Sequence, residues 1–405
     1  MHILFFSDFH DSTLGGIQTS IRSQKHALEQ AGHLVTVVSP SPLETDYPPS
    51  LTTILLPNIR FVLSAGYPFL LPTKSNFSYL EAQVKKIPPV DIVHIQSNLG
   101  VGILGYKYAK TYNLPSVQTM HSRDDVLAEN NYRFPIATSW LARRVHAHFL
   151  PHGTPVTGST ARSAARYAWE IMINQSEAAD WVTVPSKHFK QKLIERGLKK
   201  DISVISNGLS DEVVAEAKKF TKLPPNETVR IMWCGRVSPE KRPLEMIDAM
   251  LHVDEKVRLD MYGSGAYENK VRQRIKKLGL EKRVSFFTKL TQSEILREMA
   301  AHDVLVYNSY GFDNQPMILL EATLSQLPVI LCDPDLVDCI PSGSALLTRD
   351  PSSIAIAEKV ARFVAAPDEA NRMRDVMRRH MSDMYQSTHT KEMLELYETV
   401  IARRI

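Results

Sequence analysis

The chain has 405 residues, of which 43% are hydrophobic and 23% charged, and its formal net charge is +4. That balance belongs to a soluble globular protein long enough for two domains, each with its own core. Three cysteines (Cys234, Cys332 and Cys339) exclude a disulfide framework, no Cys/His spacing suits zinc, and no apolar run approaches the roughly 20 residues that span a bilayer.

The charge is uneven. Residues 1–200 carry 20 Lys+Arg against 14 Asp+Glu, together with ten of the fourteen histidines, whereas the remainder carries 28 against 30. A basic half fits an anionic partner such as a membrane surface, and equally a solvated surface of mixed charge. No nucleic-acid partner is expected.

From the N-terminus, Met1-His2-Ile3-Leu4-Phe5-Phe6 lacks the basic flank and the length of a signal peptide and reads as a first buried strand, while the three cysteines fit a reducing cytoplasm, so a cytoplasmic protein is expected. Further strands are predicted at Leu34–Val38, Asp91–Ile95, Ser116–Thr119, Trp181–Val184 and Ser203–Ile205. A second series follows at Val229–Cys234, Arg258–Tyr262, Val284–Phe286, Val304–Tyr307 and Val329–Cys332. Helical patterns fall between them, among them Ile17–Ala31, Pro243–Met250, Glu268–Leu278 and Ser293–Ala300. Alternation of strand and helix implies an α/β fold with parallel sheets. The polar stretch Asp211–Thr228, with Lys222-Leu223-Pro224-Pro225-Asn226, separates the two series and reads as a linker. His121–Trp169 breaks the rhythm with Arg133-Phe134-Pro135, Trp140-Leu141-Ala142-Arg143-Arg144 and Phe149-Leu150-Pro151, and reads as a partly helical insertion. Asp368–Ile405 is helical by composition.

Three places carry candidate chemistry. Gly15-Gly16 follows the first strand and opens a helix, where unpaired N–H groups attract anions; a bare strand-to-helix turn explains it equally, and the dinucleotide fingerprint is not met. Gly235-Arg236-Val237-Ser238-Pro239-Glu240-Lys241-Arg242 follows Val229–Cys234, so its loop lies at the carboxyl edge of a sheet, where such folds bind ligands. Arg236 and Lys241 suit a pyrophosphate; a solvated basic loop is the alternative. Gly311-Phe312-Asp313-Asn314-Gln315-Pro316-Met317 then leads into Ile318-Leu319-Leu320-Glu321-Ala322. Asp313 sits on the turn and Glu321 about two helical turns further on, inside an apolar stretch. A carboxylate there needs partners, either ribose hydroxyls or a neighbouring helix.

Gly-Gly after strand one, Gly-Arg-x-x-x-x-Lys after a mid-chain strand and an acidic-x7-Glu-Ala motif together resemble the retaining glycosyltransferases of family 4, of the GT-B fold. The N-terminal region also looks like bacterial enzymes that glycosylate diacylglycerol or related glycolipids. The resemblance runs over essentially the whole chain. Asp91-Ile92-Val93-His94, Thr119-Met120-His121, Val184-Pro185-Ser186, Ile205-Ser206-Asn207-Gly208 and Tyr262-Gly263-Ser264-Gly265 fit the same pattern in order.

The resemblance implies two Rossmann-like domains whose parallel sheets face each other across a cleft. Residues 1–210 would form the acceptor-side domain, with its insertion at about 121–169, and 211–228 a linker. Residues 229–380 would form the nucleotide-sugar domain, and 381–405 a C-terminal helix crossing back. It implies that Arg236 and Lys241 bind the donor diphosphate, that Glu321 binds the ribose, and that Asp313 contacts sugar hydroxyls near the reacting centre. His121 would reach the donor sugar from the other domain, and Gly16, Gly263, Gln315, Pro316 and Met317 would line the donor. Asp313, His121, Arg236 and Lys241 form the expected catalytic set. Asn314-Gln315-Pro316 replaces the Phe-Gly usual after the first acidic residue, which bears on which sugar is used.

No cofactor and no metal are expected, because Arg, Lys and a helix N-terminus can stabilise the leaving diphosphate. Asp333-Pro334-Asp335 resembles a metal-binding Asp-x-Asp but follows a late strand as a turn. The expected reaction is metal-independent transfer of a hexose, with retention, from a nucleotide sugar (a UDP-sugar favoured) to a membrane lipid. Trp140, Arg143 and Arg144 are the expected membrane-facing residues of a peripheral enzyme on the inner face of the membrane. A soluble sugar or a cell-wall or polysaccharide precursor is the alternative acceptor, and a non-catalytic nucleotide-sugar-binding subunit the alternative of another class.

Overall fold

Short runs of β-branched and aromatic residues, buried on both faces, make two parallel sheets in this chain. The computed structural model describes residues 1–404 except 14, 43–51, 58, 65–66, 132–133, 151–152, 154, 159–162, 223–227 and 289. They divide into two units: Met1–Gly208 with His389–Ile405, and Leu209–Thr388.

The first unit contains β1 (His2–Phe6), β2 (Leu34–Pro40), β3 (Thr53–Leu56), an antiparallel hairpin of β4 (Ile59–Ser64) and β5 (Tyr67–Phe69), then β6 (Ile92–Ile95), β7 (Ser116–Thr119), β8 (Trp181–Val184) and β9 (Ile202–Val204). Its parallel sheet runs β3-β2-β1-β6-β7-β8-β9, with Phe5 opposite Val37 on one side and His94 on the other. Alternation along β1 divides the core. Leu4 and Phe6 pack with Val93, Ile95 and Leu104, while Ile3 and Phe5 pack with Ile21, Leu28 and Val117. The second face is completed by Met393, Leu396, Tyr397 and Val400 of the helix Gln386–Ala402, each buried side chain contributing roughly 1.5–3 kcal/mol.

The second unit contains β10 (Val229–Cys234), β11 (Val257–Tyr262), β12 (Val284–Phe287), β13 (Val304–Tyr307), β14 (Val329–Leu331) and β15 (Ala345–Leu347), ordered β12-β11-β10-β13-β14-β15. Both sheets therefore reverse direction beside their first strand, at β1/β6 and at β10/β13. Such a reversal parts the connecting helices and leaves a crevice at the carboxyl ends of the strands. The expected pair of Rossmann-like folds is present.

Several expectations differ in detail. Asp211–Thr228 opens with a helix, Asp211–Ala217, whose Val214 packs with Leu209, Leu320 and Leu324 inside the second unit. Residues 223–227 of that stretch lie outside the described residues. The insertion holds the helices Asp124–Asn131, Pro135–Phe149 and Ala164–Ala178; Arg133 and Pro151 of its motifs lie outside the described residues. Strands β3, β4, β5 and β15 are additions to the sequence reading. Among the described residues, no helix is long and apolar enough to cross a membrane.

Candidate functional site

In the second unit, the loops after β10 and β13 flank the reversal point, and their side chains meet there. Lys241 Nζ donates to Asp313 Oδ1 at 2.5 Å and to the Tyr307 hydroxyl at 2.8 Å. Asp313 Oδ2 accepts from the Tyr307 hydroxyl at 2.7 Å and from Ser309 at 2.6 Å. Burial alone would raise the Asp313 carboxyl, but the Lys241 charge and the hydrogen bonds from Lys241, Ser309 and Tyr307 outweigh it and hold it below the ordinary value. Asn308 adds a clamp, donating to the Arg242 carbonyl at 2.7 Å and accepting from Trp233 Nε1 at 2.9 Å.

The β10 loop is moulded against the Gly263-Ser264-Gly265 turn. Gly235 N–H donates to the Tyr262 carbonyl at 3.1 Å, and Val237 N–H to that of Ser264 at 2.9 Å. A Cβ at Gly263 would stand 1.9 Å from the Gly235 carbonyl oxygen, and one at Gly265 would stand 2.5 Å from that of Val237. Both glycines also have positive φ, 149° and 155°, so close approach and backbone conformation agree on the residue type. On this loop Arg236 is half in solvent and pairs with Glu240 at 3.1 Å, and Ser238 donates to the same Glu240 oxygen at 2.6 Å.

Glu321 is buried at 8% exposure inside the helix Met317–Leu324. Its Oε1 accepts from Gln292 Nε2 at 2.9 Å. Burial pushes its carboxyl up to about 7, and the Gln292 hydrogen bond only partly offsets that. Cys234, the last residue of β10, lies close enough for the Glu321 charge to add to burial in raising its thiol. Cys234, at the strand end from which Gly235 and Arg236 emerge, packs against the apolar cluster that holds Leu319 and Ala322 of the Glu321 helix. Pro316 is the N-cap of this helix and no side chain caps it, while Gln315 and Met317 are partly buried on either side. Asp333 is spent on backbone: it accepts from Gly311 N–H at 2.7 Å and from Asp335 N–H at 3.0 Å.

The first unit ends its strands differently. Asp8, after β1, caps the helix Gly100–Thr111 by accepting from Val101 N–H at 2.8 Å and Leu99 N–H at 3.0 Å, and from the Ser97 hydroxyl at 2.6 Å. Asp124 accepts from Asn98 at 2.9 Å and from Ser122. Burial raises both carboxyls. His121, just past β7, donates from Nε2 to Gln96 Oε1 at 2.6 Å, and burial lowers it to about 4. His94 lies between Thr119 at 2.6 Å and Tyr397 at 2.5 Å and is lowered to about 3, by burial first and then by His121. Gly16 opens the helix Gly16–Gln30 with nothing within 4 Å of where a Cβ would stand.

The helix Pro135–Phe149 has an apolar outward face. Ile136, Trp140 and Leu141 are 54%, 43% and 57% exposed, next to Phe134 at 65%. Arg144 lies over the Trp140 ring at 5.0 Å. Arg143 points the other way, pairing with Glu170 and lying 5.9 Å from the Tyr167 ring.

Thus Lys241 and Asp313 touch, Gly263 underlies the Gly235 loop and Glu321 adjoins its root, whereas Gly16, His121, Trp140, Arg143 and Arg144 belong to the other unit. Sequence reasoning missed Tyr307, Asn308, Ser309 and Gln292. The first three end β13 or follow it at the reversal point, and the rule about carboxyl ends would have found them. Gln292 opens a helix and carries no local signal.

Residues 14–213 match the model for Glycosyltransferase Family 4, and residues 214–380 match that for Glycosyl transferases group 1. An alpha-monoglucosyldiacylglycerol synthase of Streptococcus pneumoniae is 23% identical over 82% of this chain and 70% of its own length. One from Acholeplasma laidlawii is 22% identical over 84% and 82%. The fold superposes with a TM-score of 0.72 and 15% identity on Anabaena HepE, crystallised with UDP, over 98% of this chain and 100% of that one. Two adjoining glycosyltransferase domain models account for nearly all the chain, which therefore belongs to the GT-B glycosyltransferases that pair a family 4 domain with a group 1 domain.

Proposed function

We propose that this chain transfers a hexose, with retention of configuration and without a bound metal, from a UDP-sugar to a membrane-lipid acceptor such as diacylglycerol or a glycolipid. The observation that carries the donor half is the meeting of Lys241 and Asp313 at the reversal point of the second sheet, with Glu321 at the root of the same loop. In this reading Lys241, Arg236 and the amides opening the helix Met317–Leu324 take the charge that develops on the leaving diphosphate. Fixed cations and a helix N-terminus supply what a metal would otherwise give. Glu321 accepts hydrogen bonds from the ribose hydroxyls through its second oxygen, the first being held by Gln292. HepE has been crystallised with UDP and with UDP-glucose, which supports a uridine donor.

In the reaction, the acceptor oxygen bonds to the anomeric carbon as the bond from that carbon to the diphosphate breaks. The hydroxyl proton passes to the departing phosphate oxygen. His121 is held neutral at physiological pH by burial and donates to Gln96 within the first unit. The lipid acceptor is supported by the name of two relatives and by the outward Ile136, Trp140 and Leu141, with Arg144 as the basic partner. That face suits peripheral attachment to the inner, anionic surface of a membrane.

The test is transfer from radiolabelled UDP-glucose, UDP-galactose, UDP-N-acetylglucosamine and GDP-mannose into anionic vesicles containing diacylglycerol, with EDTA present. Organic-extractable label from one UDP-hexose, as the α-anomer, is expected. Label found only in water-soluble acceptors, or transfer that stops with EDTA and returns with a divalent cation, overturns the corresponding part.

A further inference from the structure

A chain of hydrogen bonds in the first unit runs from the C-terminal helix to the end of β7. The Tyr397 hydroxyl and His94 Nδ1 are 2.5 Å apart, and His94 Nε2 lies 2.6 Å from the Thr119 hydroxyl, which meets that of Thr183 at 2.6 Å. Gln96, the residue after β6, donates from Nε2 to Gln24 Oε1 at 3.0 Å and to His94 Nδ1 at 3.3 Å. Its Oε1 faces His121 Nε2 at 2.6 Å. Gln24 extends the chain to Ser20 at 2.9 Å, and Ser20 to Asn207 at 2.8 Å. Tyr397, His94 and Gln96 are fully buried, which makes each link stronger than it would be in water.

These links decide where the protons sit. A carboxamide oxygen only accepts, so His121 carries its proton on Nε2. Reversing every link at once would keep each bond and move that proton to Nδ1. Tyr397 breaks the tie. A phenol, with an ordinary pKa of about 10, gives its proton to an imidazole nitrogen far more readily than a neutral imidazole N–H gives one to a phenol oxygen. His94 Nδ1 is therefore an acceptor, and its Nε2–H goes to Thr119. The Gln96 amide accordingly turns its nitrogen to His94 and its oxygen to His121. Burial keeps both rings neutral, so the chain transmits a tautomer and not a charge. His121 stands just past the carboxyl end of β7, and Gln96 just past that of β6 at the β1/β6 reversal, where sheets of this kind meet their ligands.

We propose that Tyr397, acting through His94 and Gln96, is a positioning residue that fixes the His121 ring as its Nε2–H tautomer at the strand ends of the first unit. The C-terminal helix thereby serves the chemistry of that edge as well as the core beneath it. This rests on the proposed transferase reading, with His121 among the residues that serve transfer.

Ring-nitrogen NMR spectra of protein made with isotope-labelled histidine show which nitrogen is protonated, and steady-state transfer gives kcat and KM on the same samples. Signals are assigned from His94→Gln and His121→Gln. The wild-type protein should carry the proton on Nε2 in both rings. Tyr397→Phe keeps the aromatic ring and its packing but loses the proton that breaks the tie. His121 should then become a mixture of tautomers, and kcat should fall about tenfold with the donor KM within about twofold, because the donor is read as bound by the second unit. Gln96→Leu removes the acceptor itself and should cost about 100-fold in kcat. Val400→Ala takes packing from the same helix without touching the chain; it should lower Tm and leave the tautomers and kcat as they are. A wild-type His121 protonated on Nδ1 overturns the proposal. So does Tyr397→Phe with the wild-type tautomer at His121, or with a mixed tautomer and undiminished kcat. An equal loss of kcat in Val400→Ala overturns it too, since docking of the helix would then account for the effect. A wild-type protein that transfers no sugar removes the functional reading and the positioning role together. One that transfers while Tyr397→Phe matches it removes the positioning role alone.

Discussion

The strand ends of the two sheets share a topology and differ in chemistry. In the second unit the loops after β10 and β13 present Arg236 and Lys241, one half in solvent and one held by Asp313 and Tyr307. In the first unit the corresponding loops hold Asp8 and Asp124, both raised by burial, and two histidines held neutral. The overall charge runs the opposite way, with the excess of Lys+Arg in residues 1–200. Net charge by half therefore does not locate the Arg236 and Lys241 pair. What counts is which side chains the β10/β13 reversal gathers; Arg144 of the first unit is exposed and lies over the Trp140 ring.

The sharpest way to break this contrast is Lys241→Ala. If the second unit's strand ends stabilise a leaving diphosphate, transfer should fall by about 100-fold or more, because a charge-stabilising donor and the counter-charge of Asp313 are lost together. Near wild-type turnover in a steady-state assay would end the assignment. Next in size is Gly263→Ala, which drives a methyl into the Gly235 carbonyl at a positive φ. We expect a loss on the order of 2 kcal/mol in denaturant unfolding of the second unit, and weaker donor binding as the Arg236 loop shifts.

Glu321→Gln gives a smaller effect of opposite sign. Burial raises this carboxyl from 4.5 to about 7, so its contribution to stability is fully present below the unfolded value and is lost as pH rises through about 7. The amide carries no such penalty. The variant should melt higher than wild type at pH 8, by a few degrees, and the gap should close towards pH 5 in thermal scans, while donor binding is lost. A gap independent of pH would remove the buried ionised carboxylate from the account. The smallest effect tests the first unit. His94 and His121, lowered to about 3 and about 4, have stability to lose only as pH falls below the ordinary 6.5 towards those values. Their Cε1 proton resonances should not move between pH 6.5 and 8. A midpoint near 6.5 for either would put a titrating charge where a neutral donor is assigned.

Much of the fold can be read from local sequence because buried parallel strands announce themselves. Ile231, Met232 and Trp233 of β10 and the whole of β13 are apolar with no exposed alternation, and their limits match the runs that predict them. The edge strands β3 and β15 are three or four residues long with Leu55 and Leu347 in solvent, so neither periodicity nor a buried run marks them. The Arg236, Lys241 and Glu321 positions stand out by chemistry that is odd for their surroundings, a basic pair after a buried strand and a carboxylate in an apolar helix. Their partners do not. Tyr307 reads as ordinary strand, and Gln292 lies 29 residues from the carboxylate it holds, so only the folded chain connects them. Arg143 and Arg144 look alike in sequence, yet a rotation of about 100° per residue turns one towards Glu170 and leaves the other over Trp140.

The helix Gln386–Ala402 has a consequence for biosynthesis. Tyr397 is fully buried against the sheet that begins at His2, and its hydroxyl holds His94. The ribosome must therefore release everything up to that helix before the N-terminal sheet can close its second face. The contiguous segment Leu209–Thr388 can fold during translation, whereas the unit translated first is the last to be completed. A stop codon or frameshift shortly after residue 388 would leave the segment Leu209–Thr388 intact and damage the unit translated before it.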